Sequence, residues 1–313
     1  MEITFFIRNF ALNIVNMKAT EERYISLLTD FGFKRIFGST PNKELLINFL
    51  NTLFGETKVV KDIKYLNTEH MGEYPTRRKA VFDVFCEGEN GENFIVEMQN
   101  AYQEFFKDRS LFYSTFPIRE QAVKGDGWDY RLNHVYTIAL LNFEMQEKSF
   151  NPDKISHTVQ LCDIETNKVF YEKLDFIYVE IAKFNKTEDE LVSLYDKWLY
   201  VLKNLSKLEK RPKALLDKIF DKLFKETEIA RFNEIERKEY ETSLKEYLDY
   251  KNQLETNARD AKREGHEEGL IEGIEIGQAR TTINHARMMK EEGLSFDLIS
   301  KITGLTKEEI SDL

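Results

Sequence analysis

Residues 79–99, KAVFDVFCEGENGENFIVEMQ, contain two apolar runs on either side of a turn with two glycines. Runs rich in Val, Ile and Phe that flank Gly and Asn are typical of two antiparallel β-strands joined as a hairpin. Each run nevertheless carries an acid, Asp83 in the first and Glu97 in the second, where a core residue is expected. Each of the two predicted strands therefore carries one carboxylate among apolar residues, and the fold must accommodate both.

The register of this hairpin decides whether the two acids meet. Side chains alternate between the faces of a strand, so Glu97 and Gln99 share one face. A turn of odd length centred on Asn90 places Asp83 opposite Glu97 and all three side chains on that face. A two-residue turn at Asn90–Gly91 instead places Asp83 opposite Met98 and separates the acids. The sequence alone leaves both registers open.

The order of periodic segments predicts an α/β core. Residues 42–54 repeat apolar positions at helical spacing behind Pro41. Three strands, a helix that Pro117 should kink, and a strand apolar on both faces follow in that order. The predicted strands lie at residues 59–67, 79–87, 93–100, 134–143 and 175–184.

Composition limits the functional classes. The net charge of −10 at pH 7 excludes a uniformly basic nucleic-acid coat, although a local basic cleft is compatible with it. No apolar run approaches the roughly 20 residues that span a bilayer, and residues 1–15 lack the pattern of a signal peptide. Two cysteines in 313 residues form no disulfide framework, so we expect a cytoplasmic protein without a membrane partner.

Two converging carboxylates suit a hard divalent cation such as Mg²⁺, and the carbonyl of Met98 would supply a third oxygen. Arg77, Arg78 and Lys79 directly precede the first acidic strand and are placed to contact phosphate. The alternative is that the acids and the basic run belong to an ordinary solvated face. The pattern alone does not separate these two interpretations.

The chain resembles the PD-(D/E)XK nuclease superfamily, and more narrowly the recombination-promoting nuclease/putative transposase family. The similarity covers roughly residues 24–313. It rests on TDFGFKRIFG, ELLINFLN, RKAVFDVFCEGENGENFIVEMQN, RSLFYSTFPIREQ, FIYVEIAKF and a Glu-Gly tail, in that order. The resemblance implies a restriction-endonuclease-like core (helix, three-strand meander, helix, strand) and DNA cleavage with Mg²⁺, for which Mn²⁺ is a possible substitute.

By the same resemblance, Asp83 and Glu97 are metal-binding acids, and Gln99 stands where many superfamily members have a catalytic lysine. A neutral amide orients water by hydrogen bonds but brings no positive charge. Either the metal carries most of the electrostatic work, or Lys34 or Lys79 reaches the site; both lysines also fit an ordinary surface position. Glu44 either supports the metal or simply favours a helix N-terminus.

The helix after the hairpin supplies further candidates. Arg109 and Tyr113 are four residues apart, hence on one helix face, where they would contact phosphate, orient the site or only pack. Aromatic residues nearby are expected in the core more than on a base-stacking surface. They are Phe105, Phe112, Trp128 and Tyr130.

The later chain is predicted to be mainly α-helical. Gly265, Gly269, Gly273 and Gly277 recur every four residues, which indicates either a close helix–helix contact in a homo-oligomer or a flexible connector. We divide the chain into a nuclease-like domain at 20–186, a helical extension at 187–264 and a glycine-repeat tail at 265–313. The rival to a DNA endonuclease is a weak or inactive protein of the same fold that acts as a protein- or DNA-binding module.

Overall fold

The computed structural model describes residues 22–70, 80–122 and 129–313. Several sequence predictions lie outside these ranges: the N-terminal segment, the basic run Arg77, Arg78 and Lys79, and Trp128.

Two sheets organise the described residues. The main sheet has six strands in the order β1-β4-β5-β6-β8-β7, and β2 pairs with β3 separately. The strands are β1 Ile63–Tyr65, β2 Glu69–His70, β3 Ala80–Val81, β4 Val84–Gly88, β5 Asn93–Gln99, β6 Val135–Leu141, β7 Ser156–Cys162 and β8 Val169–Glu180.

Helices precede, interrupt and follow the strands. The α-helices are α1 Asp30–Phe37, α2 Lys43–Phe54, α3 Phe106–Glu120, α4 Leu194–Asn204, α5 Lys218–Thr227, α6 Glu234–Glu291, α7 Phe296–Thr303 and α8 Lys307–Ser311. Short 3₁₀ helices lie at Thr40–Asn42, Ile181–Lys183, Glu188–Glu190, Leu205–Lys207, Lys213–Leu215 and Ile229–Arg231.

The main sheet is mixed. β1, β4 and β5 pair antiparallel, whereas β5, β6 and β8 run parallel and β7 returns antiparallel at the edge. The parallel pair β5 and β6 is joined through α3, as a crossover connection requires. This mixed α/β architecture confirms the predicted class.

Three local predictions differ from the structure. The strand expected at 79–87 is broken, because β3 pairs with β2 and the Phe82 N–H donates to the Thr68 carbonyl, so Asp83 lies one residue before β4. The strand expected at 59–67 contracts to β1. Helix α3 continues through Pro117, where a kink or a break was expected, so the break does not occur.

Both faces of the main sheet are covered. Alternate residues of β4, β5, β6 and β8 join a large core with α1, α2 and α4, and the opposite residues pack in smaller clusters that include Phe106 and Phe116 of α3. The α3 face is the one that carries Glu97, because Ile95 lies on it two residues earlier.

The large core contains residues from both sides of residue 186. Trp198 of α4 is fully buried, and its ring centroid lies 5.8 Å from that of Phe37 and 5.6 Å from that of Phe49. Its indole N–H donates to Asn48 Oδ1 at 2.8 Å. Residues 22–186 therefore share their core with later helices.

The chain divides into two compact units, Met1–Tyr247 and Leu248–Leu313. In the second unit, α7 and α8 form a small core with the end of α6 through Ala286, Ile299 and Ile310. In the part of the chain that the structure describes, no helix combines the length and apolar character needed to cross a bilayer.

Candidate functional site

The β4–β5 hairpin has the register that brings the two acids together. Val84 pairs with Val96 and Glu87 with Asn93, so an odd number of residues, the five at 88–92, separates the last pair. Continuing the same register by one residue places Asp83 opposite Glu97. The odd-length alternative considered for the sequence is therefore the one observed.

The turn is fixed by side chains as well as by the backbone. Glu92 accepts hydrogen bonds from Lys58 Nζ at 2.5 Å and from the Asn90 backbone N–H at 3.1 Å. Gly91 adopts φ +79°, and a Cβ there would approach Asn133 Nδ2 to 2.6 Å. Both the positive φ and the close approach favour glycine, so the sequence E-N-G-E specifies this turn.

Asp83 and Glu97 hold each other through reciprocal contacts. The backbone N–H of Asp83 donates to Glu97 Oε1 at 3.2 Å, and the backbone N–H of Met98 donates to Asp83 Oδ2 at 2.8 Å. Each carboxylate thus accepts from the strand that carries the other. This arrangement fixes both side chains while leaving other carboxylate oxygen lone pairs free for a ligand.

The pair is electrostatically costly without a cation. Glu97 is only 4% exposed. Burial and the neighbouring Asp83 carboxylate raise the pKa of Glu97. Burial also raises the pKa of Asp83, despite the hydrogen bond from Met98 and the attraction of Lys34. A buried and a part-buried acid that repel each other are stabilised in their charged forms by a positive charge placed between them.

Gln99 and Arg109 complete the surroundings of Glu97. Gln99, 7% exposed, donates from Nε2 to Glu97 Oε2 at 3.1 Å. Arg109 Nη2 lies 3.4 Å from the same oxygen, and its Nη1 donates to Gln103 Oε1 at 2.9 Å. The guanidinium carbon stands 5.0 Å from the ring centroid of Tyr113. The predicted helix-face pair therefore lies beside the acids.

Lys34 approaches the acids from α1. The side-chain amide of Asn100, next after β5, donates to the Leu28 carbonyl at 2.7 Å and so holds the start of α1 near the strand end. Lys34 pairs with Asp30 at 2.7 Å. Burial lowers the pKa of Lys34, but the Asp30 hydrogen bond and the charges of Asp83 and Glu97 outweigh it and raise that pKa.

Glu44 has a different partner. It is in the first turn of α2, where its carboxylate pairs with Lys222 at 2.8 Å and its side chain is 60% exposed. Its place in the first turn is the helix N-terminus position that the sequence also allowed.

Asp30 and Asn100 lie near the acids but are absent from the sequence-based prediction of the site. Asp30 shares a helix face with Lys34, and the i,i+4 spacing in DFGFK was a usable signal. Gln103 holds Arg109, and Asn100 anchors the loop before α1. No spacing rule connects Asn100 with Leu28, because the contact joins residues 72 apart.

The donor set fits a hard divalent ion. The Gln99 carbonyl accepts from Asn142 on the β6 side, so the Met98 carbonyl points to the opposite side, toward Asp83. Two carboxylates and one carbonyl leave the remaining positions to water, as Mg²⁺ prefers. No group of three or more His, Cys, Asp or Glu side chains suited to a metal occurs among residues 22–70, 80–122 and 129–313.

Comparison with known proteins identifies the family of this chain but no individual related protein. No curated protein matches the chain, and no solved structure matches it. Residues 27–257 match the family described as PD-(D/E)XK nuclease family transposase, and the matched range contains the acid pair, Gln99, Lys34 and Arg109. The match spans most of the chain, and the protein therefore belongs to the PD-(D/E)XK nuclease family transposases.

Proposed function

We propose that this protein is a Mg²⁺-dependent DNA endonuclease that acts in transposition or recombination. The observation that carries the proposal is the opposed pair of carboxylates, buried Glu97 and part-buried Asp83, each of which accepts a backbone N–H from the segment of the other. Burial raises the pKa of both acids, and the Asp83 charge raises that of Glu97 further, so a bound cation would lower the cost of keeping both ionised.

In this proposal Asp83, Glu97 and the Met98 carbonyl hold Mg²⁺, with Mn²⁺ as a substitute. When bound, the ion activates water and neutralises charge that develops on the phosphodiester. Gln99 takes the position of the usual lysine and orients water or the Glu97 carboxylate by hydrogen bonding. Lys34 supplies the positive charge that the Gln99 amide does not have. Arg109 holds the Glu97 carboxylate in position.

Substrate binding is assigned to local basic residues, since the chain as a whole carries a net charge of −10. We propose that Arg77, Arg78 and Lys79, which directly precede β3, contact phosphates. Replacing all three by Gln should weaken DNA affinity across sequences and reduce the salt dependence of binding. If the salt dependence of DNA binding were unchanged, these residues would be solvated surface residues that do not contact phosphate.

Plasmid nicking tests the function directly. Wild type with Mg²⁺ should convert supercoiled DNA to the open circular form, and a chelator should stop it. Asp83→Asn and Glu97→Gln should each reduce cutting by at least about 100-fold, because each removes a charge held for the metal. Glu87→Gln, in the same hairpin and paired with Asn93, is the matched control and should cut normally. Cutting at the wild-type rate by either site variant would refute the assignment.

The rival function is a nuclease fold that binds protein or DNA without cutting it. The observation in its favour is Gln99, a neutral side chain hydrogen-bonded to Glu97 where positive charge is expected. Mg²⁺-independent DNA binding with no nicking by any preparation would support this rival. The free cysteines, Cys86 buried and Cys162 exposed, suit the reducing cytoplasm that we propose for either function.

A further inference from the structure

A cavity of 480 Å³ opens beside Arg109 along the first half of α3. Its volume falls within the range of small-molecule sites, about 300–1,000 Å³. Its walls contain aromatic rings, two acids, an amide and the arginine. The lining residues used below are Phe105, Phe112, Tyr113, Glu104, Asp108 and Arg109.

Two of these aromatic residues are exposed rather than buried. Phe105 is 68% exposed and Phe112 is 44% exposed, contrary to the expectation that this aromatic segment belongs to the core. Phe112 keeps its orientation through an edge-to-face contact with Phe116, at 5.1 Å between ring centroids. An exposed aromatic ring with a fixed orientation offers a flat face on which a planar group can stack.

The charges of the cavity select the kind of group that fits. Glu104 and Asp108 line it, so a phosphate entering the cavity would meet two carboxylates. A nucleobase carries no charge, and carboxylates accept hydrogen bonds from the amino groups on its edges. The cavity therefore suits a base and disfavours the backbone that carries it.

Arg109 connects this cavity to the acid pair. The same side chain lines the cavity and places Nη2 3.4 Å from Glu97 Oε2. Its Nε is buried without a hydrogen-bond partner among the described atoms. A strand whose phosphodiester lies at Asp83 and Glu97 would consequently pass beside Arg109, which also lines the cavity that Phe105 and Phe112 border.

We propose that this cavity receives one unstacked nucleobase of the strand being cut, so that the enzyme prefers DNA with unpaired bases over perfect duplex. The proposal rests on the nuclease function proposed above and specifies its substrate class. A base inside a duplex is covered by its neighbours and must be unstacked before it can enter a protein pocket, whereas a base in a bubble or single strand needs less energy to do so.

A binding experiment tests the pocket without any cutting. Full-length protein in chelator is mixed with a DNA bubble that carries 2-aminopurine at one unpaired position, scanned across the bubble. At one position we expect quenching on binding, because the base stacks on an aromatic ring. Phe105→Ala and Phe112→Ala should each weaken bubble binding about tenfold and remove the quenching. Leu111→Ala, an exposed residue of the same helix, is the control.

Cleavage then tests the substrate class. With Mg²⁺, wild type should cut the bubble faster than a duplex of matched sequence, and the two phenylalanine variants should bring that ratio close to one. Equal cutting of bubble and duplex by wild type, or phenylalanine variants that behave like Leu111→Ala, would overturn the inference and leave the nuclease function standing. Base-dependent quenching with no cutting of any DNA would count against the nuclease function instead. No quenching at any position would exclude the base pocket, whatever the cutting shows.

Discussion

The side-chain amide of Gln99 donates a hydrogen bond to Glu97 Oε2 at 3.1 Å, two residues along the same strand. Both residues are buried, and the amide is held against the carboxylate on the face that α3 covers. A lysine at this position would bring charge to the same oxygen, whereas an apolar residue would leave the oxygen with fewer donors.

Substitutions at Gln99 separate these roles. We expect Gln99→Met to lower nicking about 10- to 100-fold, because Glu97 loses a donor and water loses a polar neighbour. Gln99→Lys should cut at least as fast as wild type, since it supplies the positive charge that the amide lacks. Initial rates of nicking distinguish these roles, and thermal unfolding checks that each variant is folded. Wild-type rates from Gln99→Met would remove this residue from the mechanism.

Lys34 is expected to provide positive charge to the acid pair. Lys34→Met should lower nicking about 100-fold with little effect on stability, because the side chain is 43% exposed and pairs only locally with Asp30. Lys43→Met is the matched control, since Lys43 is similarly exposed and pairs with Asp62. Equal rates for the two variants would show that Lys34 has no special part in the reaction.

We expect the free energy of unfolding to depend on pH in the acid range, because Glu92 lies in the turn between β4 and β5 and has a lowered pKa. Burial alone would raise the pKa of Glu92, but hydrogen bonds from Lys58 and Asn90 prevail and lower it to about 2. A depressed carboxyl pKa contributes stability above the ordinary value near 4.5, and that contribution is lost as the pH falls from about 4.5 to about 2.

Glu92→Gln should accordingly lower the free energy of unfolding by about 1 kcal/mol at pH 7, a figure reduced for partial solvation of the pair. The difference between wild type and variant should vanish near the lower end of that pH window. Urea unfolding at several pH values measures it, with Glu89→Gln in the same turn as control. A pH-independent difference would show that the Glu92 charge is not responsible.

How much of this arrangement the sequence could predict depends on the range of the interactions. Period-two alternation was enough to place Glu97 and Gln99 on one face. The turn parity was not predictable, because Glu92 is held by Lys58, 34 residues earlier in the chain. Strand β7 and the start of β8 were missed since they are largely exposed and polar, as a sheet edge allows. The approach of Lys34 depends on the long-range contact of Asn100 with Leu28.

The proposed boundary at residue 186 can be tested by truncation. Sequence patterns predict that a chain ending there folds, but the core packs Trp198 against Phe37 and Phe49, at 5.8 and 5.6 Å between ring centroids, and all three residues are fully buried. We expect a chain of residues 1–186 to be unfolded or aggregated and a chain of residues 1–247 to fold. Circular dichroism and light scattering make the comparison. In the full chain, Trp198→Ala should cost about 3–5 kcal/mol. A folded, monodisperse 1–186 chain would establish the boundary.

The glycine repeat can be tested as an oligomer interface. Nothing lies within 4 Å of a Cβ built at Gly269 or Gly273, so alanine there meets no clash within the chain. Gly269→Ala with Gly273→Ala should raise helicity and stabilise the helix by about 1 kcal/mol per site. If a second copy packs on the stripe, which is one of the two alternatives that the sequence leaves open, the same change should lower the dimer fraction in light scattering. Asn284→Ala controls for propensity alone, and an unchanged mass would rule out the stripe as the contact.

Five residues, 88–92, separate the paired residues Glu87 and Asn93, and the proposed chemistry depends on whether that number is odd or even. Deleting one residue there would still let β4 and β5 pair, but it would slide Asp83 from Glu97 to the neighbouring position, where the side chains face the other way. Such a protein would look folded by most spectroscopic measures, but Asp83 and Glu97 would no longer face each other. A change of two residues would restore the match. The number of residues in this loop, as well as their identity, therefore decides whether the two acids of the proposed site face each other.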